Sequence, residues 1–212
     1  MKRAGFLGTV VWLFSVVICF PQMEAPIYES IEDAQIASEN GMLVIKPANI
    51  SYAEAAAVPT GGMTALRCIR KANIQPGQKA LIYGASGSVG TYSVQLAKQF
   101  GAEVTAVCST RNVELVRSIG ADHVIDYTKE ELSKSNQRYD LILDNVGNLS
   151  VSTYKRLLND NGTAVVAGFT KIGRMLQVVV LGGLSSTFGN KKIGPMMATP
   201  TQADLLYLNE LL

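Results

Sequence analysis

Lys79-Ala80-Leu81-Ile82-Tyr83-Gly84-Ala85-Ser86-Gly87-Ser88-Val89-Gly90, continued by Thr91-Tyr92-Ser93-Val94-Gln95-Leu96-Ala97-Lys98, is the stretch that decides the fold. The apolar run from Ala80 to Tyr83 suits a buried parallel strand, and Val89, Val94, Leu96 and Ala97 follow at helical spacing. The glycines lie where strand and helix meet. Gly84, Gly87 and Gly90 permit a tight turn, let the backbone approach a pyrophosphate with no Cβ in the way, and let the helix pack closely on the strand. The first helical N–H groups and the positive end of the helix dipole then face the phosphates. Against the fingerprint G-x-G-x-x-G the first glycine is replaced by Ala85, so the flanking strand and helix carry as much of the reading as the glycines do.

Composition bounds the rest. The chain has 212 residues, enough for one large domain or for one domain with appendages. Its 48% hydrophobic and 17% charged residues suit an α/β globule, and a net charge of +2 gives no case for nucleic-acid binding. Cys19, Cys68 and Cys108 are scattered beside a single histidine, His123, so neither a zinc cluster nor a disulfide framework can be assembled. The cysteines read as small buried hydrophobes. His123 opens a strand, opposite the edge expected to bind, and reads as structural rather than catalytic.

Met1-Lys2-Arg3 precede an uncharged run from Ala4 to Phe20, the shape of a secretory signal or a short membrane anchor, with no clean A-x-A cleavage site. An accidental segment from a misplaced start codon or a rearranged gene is the third reading. Residues 1–22 are thus an apolar signal-like or anchor-like segment, and 23–40 a polar, acidic linker. Residues 41–212 form the ordered domain.

Within that domain Met42 to Ile45 is a strand candidate stopped by Lys46-Pro47. Ser51-Tyr52-Ala53-Glu54 is a capping box for a helix over Ala55 to Val58 that Pro59 ends, and Gly61-Gly62 leads into a second helix from Met63 to Lys71. Beyond the glycine turn, strands and helices alternate: strand Glu103 to Cys108, helix Asn112 to Ile119, strand His123 to Ile125, a polar helix around Lys129 to Lys134, strand Tyr139 to Asp144, helix Ser150 to Leu158, strand Thr163 to Ala167. Gln177 to Leu181 reads as a further strand and Gly182 to Gly194 as irregular, before Thr201-Gln202-Ala203-Asp204 caps a final helix to Leu212. Right-handed crossovers gather the C-terminal ends of the parallel strands along one edge, where ligand chemistry belongs.

The second strand ends in Cys108-Ser109-Thr110-Arg111, about twenty residues past the glycines, where an acid would bind the ribose 2′-OH of NAD. Two hydroxyls and an arginine stand there instead. Arg111 offers a fork of donors to a 2′-phosphate, which favours NADP(H). Tyr127, ending the third strand, can reach the same adenosine end, and reads equally as a partly buried surface tyrosine. The turn Asp144-Asn145-Val146-Gly147-Asn148 meets the middle or nicotinamide side of a dinucleotide, and Gly168-Phe169-Thr170 the nicotinamide.

Ala55-Ala56-Ala57-Val58-Pro59-Thr60-Gly61-Gly62-Met63-Thr64-Ala65-Leu66, then Gln75-Pro76-Gly77, the glycine turn, and Gly120-Ala121-Asp122-His123-Val124-Ile125-Asp126-Tyr127 together resemble the medium-chain dehydrogenase/reductase superfamily. Within it the match is to the zinc-independent quinone oxidoreductase branch, and it runs from about Gly41 to the C-terminus. The resemblance implies an enzyme that reduces a small-molecule quinone or enone with NADPH, by hydride transfer from C4 of the nicotinamide. It implies Ser86, Gly87, Ser88, Val89 and Gly90 at the pyrophosphate, Ser109, Thr110, Arg111 and Tyr127 at the adenosine phosphate, and Thr64, Asn148, Gly168 and Phe169 at the nicotinamide half. It assigns no catalytic residue and no metal ligand.

Family members carry a GroES-like catalytic domain whose bulk is replaced here by the first forty residues, and they continue past the final helix into strands that complete the sheet. The expected fold is therefore a Rossmann-type doubly wound parallel sheet, incomplete at both ends relative to the family. The alternative is a non-catalytic nucleotide-binding module tethered to a membrane through residues 4–20, or an inactive gene fragment. A homodimer is left open. An NADPH enzyme is expected in the cytoplasm, with membrane anchorage through the N-terminal segment as the alternative.

Overall fold

The computed structural model describes residues 44–196 and 201–212, with the side chains of Ser133 and Phe188 left aside. The apolar segment, the linker, Cys19, and Met42 and Leu43 of the first strand candidate lie outside the described residues. The rest of that candidate, Val44 and Ile45, is irregular, because Lys46 Nζ turns the chain by bonding the carbonyls of Pro47 and Ile50.

Helix α1 spans Tyr52–Ala72 behind the capping box: Ser51 Oγ accepts the Glu54 N–H at 3.2 Å, and Glu54 Oε2 accepts the Ser51 N–H at 2.7 Å. It is one helix, not the expected two, and Pro59 lies inside it. The missing N–H and the ring clash work against that. The buried stripe Val58, Gly62, Met63, Leu66 and Ile69 outweighs them, since splitting the helix would expose it.

Strand β1 is Lys79–Tyr83, followed by α2 (Ser88–Gln99), β2 (Glu103–Cys108), α3 (Val113–Ser118), β3 (His123–Asp126) and β4 (Tyr139–Asp144). Then come α4 (Val151–Leu157), β5 (Leu158–Val166) and β6 (Lys192–Pro195). All six strands pair in parallel in the order β3-β2-β1-β4-β5-β6. Leu81 lies opposite Thr105 on one side and Ile142 on the other. Helices cover both faces, so the central strands are apolar on both faces: Leu81, Ile82, Leu141, Ile142 and Leu143 are wholly buried. The strand order reverses between β1 and β4, and the crevice beyond their C-terminal ends is where such a sheet takes a ligand.

Four further expectations are corrected. The crossover from β3 to β4 carries only a single short helical turn, Leu132–Lys134, in place of a polar helix, because Leu132 is the one apolar anchor it buries. Strand β5 starts at Leu158, earlier than Thr163, absorbing a left-handed Asn161 at φ 63°. Gln177 to Leu181 is helical, not a strand: α5 (Ile172–Gln177) runs through a wide turn, Val178–Gly182, into α6 (Gly183–Phe188). Only Val178 and Gly182 of that turn are buried, whereas a strand within a parallel sheet would bury both faces. The segment read as irregular therefore holds α6 and the edge strand β6, whose terminal Pro195 an edge position tolerates.

Helix α7 (Gln202–Leu211) has the expected Thr201 cap and returns to α1. Asp204 receives Arg67 at 2.5 Å and Arg70 at 2.8 Å, and Arg70 also lies over the Tyr207 ring.

Candidate cofactor site

The turn after β1 closes on itself. Gly84 takes φ +77°, its N–H and that of Ala85 donate to the Val107 carbonyl at 3.1 and 3.0 Å, and Gly87 N–H returns to the Gly84 carbonyl. The three glycines serve different ends. Gly84 supplies the left-handed backbone. At Gly90 a Cβ would fall 2.2 Å from the Gly84 carbonyl oxygen, so this glycine lets α2 press on the turn. Gly87 has an ordinary φ of −81°, is exposed, and a Cβ there would meet only the Gly84 oxygen at 3.6 Å. Neither strain nor packing asks for glycine at that point. Gly87 is the N-cap of the 12-residue α2, no side chain caps that helix, and its first amides face the same open side. Ser88 is exposed on that first turn beside Gly61 of α1, Val89 is half-buried, and Thr64 lies one helical turn along from Gly61.

Beyond the end of β2, Ser109, Thr110 and Arg111 form a short turn with Asn112. Thr110 Oγ1 donates to Asp126 Oδ2 at 2.5 Å, and Thr128 donates its N–H and its hydroxyl to Asp126 Oδ1. These hydrogen bonds hold the Asp126 carboxyl at about 2, against the opposing pull of burial. Asn112 Nδ2 reaches Ser86 Oγ at 3.0 Å and Ser109 Oγ at 3.3 Å. Arg111 is exposed, and Tyr127, with its N–H on the Cys108 carbonyl, is 56% exposed, leaving its ring free for a planar ligand. The sequence reading missed both Asp126 and Asn112. Asp126 stands opposite Cys108 in the register, and both of its carboxylate oxygens are taken up by Thr110 and Thr128.

At the other end, the turns after β4 and β5 press backbone against backbone. Gly147, at φ +70°, would place a Cβ 2.1 Å from the Gly168 carbonyl oxygen, and Gly168 would place one 2.4 Å from the Asn145 oxygen. Thr170 Oγ1 bonds Asn148 Oδ1, and Phe169 packs against the core. Asp144 Oδ1 accepts the N–H groups of Val146 and Gly147, and its Oδ2 accepts the Tyr154 hydroxyl. Asn145 Nδ2 donates to the Tyr83 carbonyl, while its Oδ1 is the one buried side-chain oxygen or nitrogen among the described residues without a partner. The structure thus gathers Ser86 to Gly90, Ser109 to Arg111, Tyr127, Asn148, Gly168 and Phe169 along the C-terminal edge of one sheet.

His123 sits away from that edge, exposed, with Nε2 3.0 Å from Glu103 Oε1. Cys68 and Cys108 are buried as expected, and burial pushes the Cys68 thiol up to about 12. Among the described residues no group of three or more metal-ligating side chains converges.

Strand order, the uncapped helix beyond Gly87, and the turns facing it define a dinucleotide-binding domain of the doubly wound class. A family model described as zinc-binding dehydrogenase matches residues 88–200, more than half of the chain, and the chain belongs to that family as the cofactor domain of a medium-chain dehydrogenase/reductase. It is 49% identical over 111 residues to the mitochondrial NAD(P)H oxidoreductase RTN4IP1 of Mus musculus, covering 48% of this chain and 28% of that protein. To the chloroplastic NADPH-dependent alkenal/one oxidoreductase of Arabidopsis thaliana it is 41% identical over 113 residues, covering 52% of this chain and 29% of the relative. The quinone oxidoreductase structure from Coxiella burnetii superposes with a TM-score of 0.66 at 26% identity, covering 79% of this chain and 51% of that one. The chain spans under a third of each of these two curated relatives and about half of the solved chain.

Proposed function

We propose that residues 41–212 bind NADP(H) along the C-terminal edge of the sheet, in the service of zinc-independent reduction of a quinone or an enone. The observation that carries the reading is Gly87: an exposed, unstrained glycine with open space above it, at the head of an uncapped helix. A phosphate approaching that turn uses the space a side chain would fill, and meets the α2 amides. Bound there, the dinucleotide supplies a hydride from nicotinamide C4 to an electron-poor carbon or a quinone.

The chain's own residues supply position and charge. Arg111, exposed at the end of β2, would offer a planar fork to a 2′-phosphate, and the exposed Tyr127 ring would stack on the adenine. Gly147, Gly168 and Phe169 hold a closely packed turn pair that would bound the nicotinamide. Support for the substrate class comes from the relatives named for alkenal/one and quinone chemistry. Support for zinc independence comes from the donor set among the described residues, where the single histidine is held on Glu103 and both described thiols are buried. The reading places the protein in the cytoplasm, and recovery of the tagged full chain in the membrane pellet overturns that placement.

The test of cofactor binding is titration of the purified full chain with NADPH and NADH, followed by nicotinamide fluorescence. NADPH is expected to bind at least about tenfold more tightly, with the preference lost in Arg111→Ala. Equal binding of the two removes the 2′-phosphate argument, and binding of neither overturns the reading as a whole.

A further inference from the structure

Asn112 lies between two of the anion-facing turns, and its side-chain amide touches both. Nδ2 carries two hydrogens, and they go to Ser86 Oγ at 3.0 Å and to Ser109 Oγ at 3.3 Å. Its backbone N–H is tied to the Ser109 carbonyl at 2.9 Å, so the amide is fixed to the turn it serves. Ser86 belongs to the glycine turn ahead of α2, and Ser109 opens the turn that carries Arg111.

The direction of these bonds decides what the hydroxyls do next. A serine oxygen that accepts from an amide keeps its own proton for another acceptor. Among the described residues no carbonyl or carboxylate receives the proton of Ser86 or of Ser109. Thr110, adjacent in sequence, is the contrast: its proton goes to Asp126 at 2.5 Å, so that hydroxyl is used within the protein. Ser86 and Ser109 are each half-buried, which strengthens donation to an anion compared with a fully solvated hydroxyl.

We propose that Asn112 is a positioning residue that turns the hydroxyl protons of Ser86 and Ser109 outward, toward two separate phosphate groups of one ligand. The chemical class is a dinucleotide with a phosphorylated ribose: Ser86 faces the pyrophosphate, and Ser109, beside Arg111, faces the 2′-phosphate. One amide bridging both oxygens fixes their spacing, so the two anion sites keep a common register. The inference rests on the NADP(H) reading above and adds to it the residue that couples its two phosphate sites.

The experiment is a mutant cycle on the full chain, read by NADPH and NADH binding together with thermal unfolding of each ligand-free variant. Asn112→Ala is expected to weaken NADPH about tenfold in the otherwise unchanged chain, and to change it less than about twofold once Ser86→Ala and Ser109→Ala are both present. The near-isosteric Asn112→Asp, whose carboxylate takes both serine protons and adds a charge, is expected to weaken NADPH by about a hundredfold with the unfolding temperature held. An equal loss from Asn112→Ala in both backgrounds, or no loss at all, overturns the proposal. If the unchanged chain binds NADPH and NADH alike, the NADP reading fails by itself. The coupling is then scored on NADH, which still carries the pyrophosphate, and the Asn112→Ala loss must vanish in Ser86→Ala.

Discussion

Tyr154 donates its hydroxyl to Asp144 Oδ2 at 2.7 Å with both side chains wholly buried, which ties α4 to the end of β4. The other carboxylate oxygen holds the N–H groups of Val146 and Gly147 at 2.8 and 2.7 Å, so the same acid shapes the turn after β4. Burial, then the adjacent carboxylate, push the Tyr154 phenol well above its ordinary value, keeping it a donor at any physiological pH. A buried acceptor that loses its donor pays the desolvation of that group. Tyr154→Phe is therefore expected to cost about 2 kcal/mol, within the range of about 1–3 for an unpaired buried group. Urea unfolding checks it, and a change under about 0.5 kcal/mol would show that Asp144 finds another partner.

The glycines give a sharper separation of folding from binding. Gly90→Ala drives a methyl into the Gly84 carbonyl, which is backbone and cannot yield, so a loss of stability of about 3 kcal/mol is expected. Gly87→Ala meets nothing closer than 3.6 Å and keeps an allowed φ, and its gain from a stiffer unfolded chain offsets the poorer N-cap, so its stability should stay within about 1 kcal/mol of the parent. Its NADPH affinity should nonetheless fall at least about tenfold, because the added methyl occupies the phosphate approach. Undiminished affinity in Gly87→Ala would remove the main support for the cofactor site.

What the sequence shows and hides follows from the range of each interaction. Strands β1, β2 and β4 were legible because burial on both faces gives each a largely apolar centre beside a turn. The glycine turn was legible for its spacing. Val178-Val179-Val180-Leu181 carries the same β-branched signature, yet in the folded chain it faces largely outward on a helix, and no local period separates the two outcomes. Strand β6 is four residues long with a glycine and a proline, and only its pairing with β5 makes it a strand. Within the site, Arg111 and Tyr127 stand where strand ends predict them. Asn112 acquires its role from Ser86, 26 residues away, and Tyr154 from Asp144, so neither role exists until the sheet has formed.

Acid should loosen the turn beyond β3. Asp126 is held at about 2 by the Thr110 and Thr128 hydroxyls, below the 3.8 of an ordinary aspartate. A carboxyl depressed in the folded state contributes stability that is complete above its unfolded value and is lost as pH falls through the folded one. The window is therefore from about pH 4 down to about pH 2. Urea midpoints measured across it should decline in the parent chain and decline less in Asp126→Asn, which carries no titrating group at that position. Identical slopes in the two proteins would show that Asp126 is not depressed.

The docking of α7 rests on a second acid. Asp204 is buried, which alone would raise its carboxyl; bonds from Thr201 and the Arg67 guanidinium reverse this and hold it below the ordinary carboxylate value. Arg67 and Arg70 approach from α1 at 2.5 and 2.8 Å, and Thr201 shares Oδ2, so one side chain both caps α7 and fastens it. Leu208 completes the seam against Gly62, where a Cβ would lie 3.0 Å from its methyl. Asp204→Ala removes the acid half of the capping box and strands two arginines, one of them partly exposed, so a loss of about 2 kcal/mol is expected in place of the full cost of breaking a buried pair. Hydrogen exchange should locate that loss in α7, with β1 and β4 protected as in the parent. Uniform loss of protection across the sheet would mean that α7 unfolds only together with the whole domain.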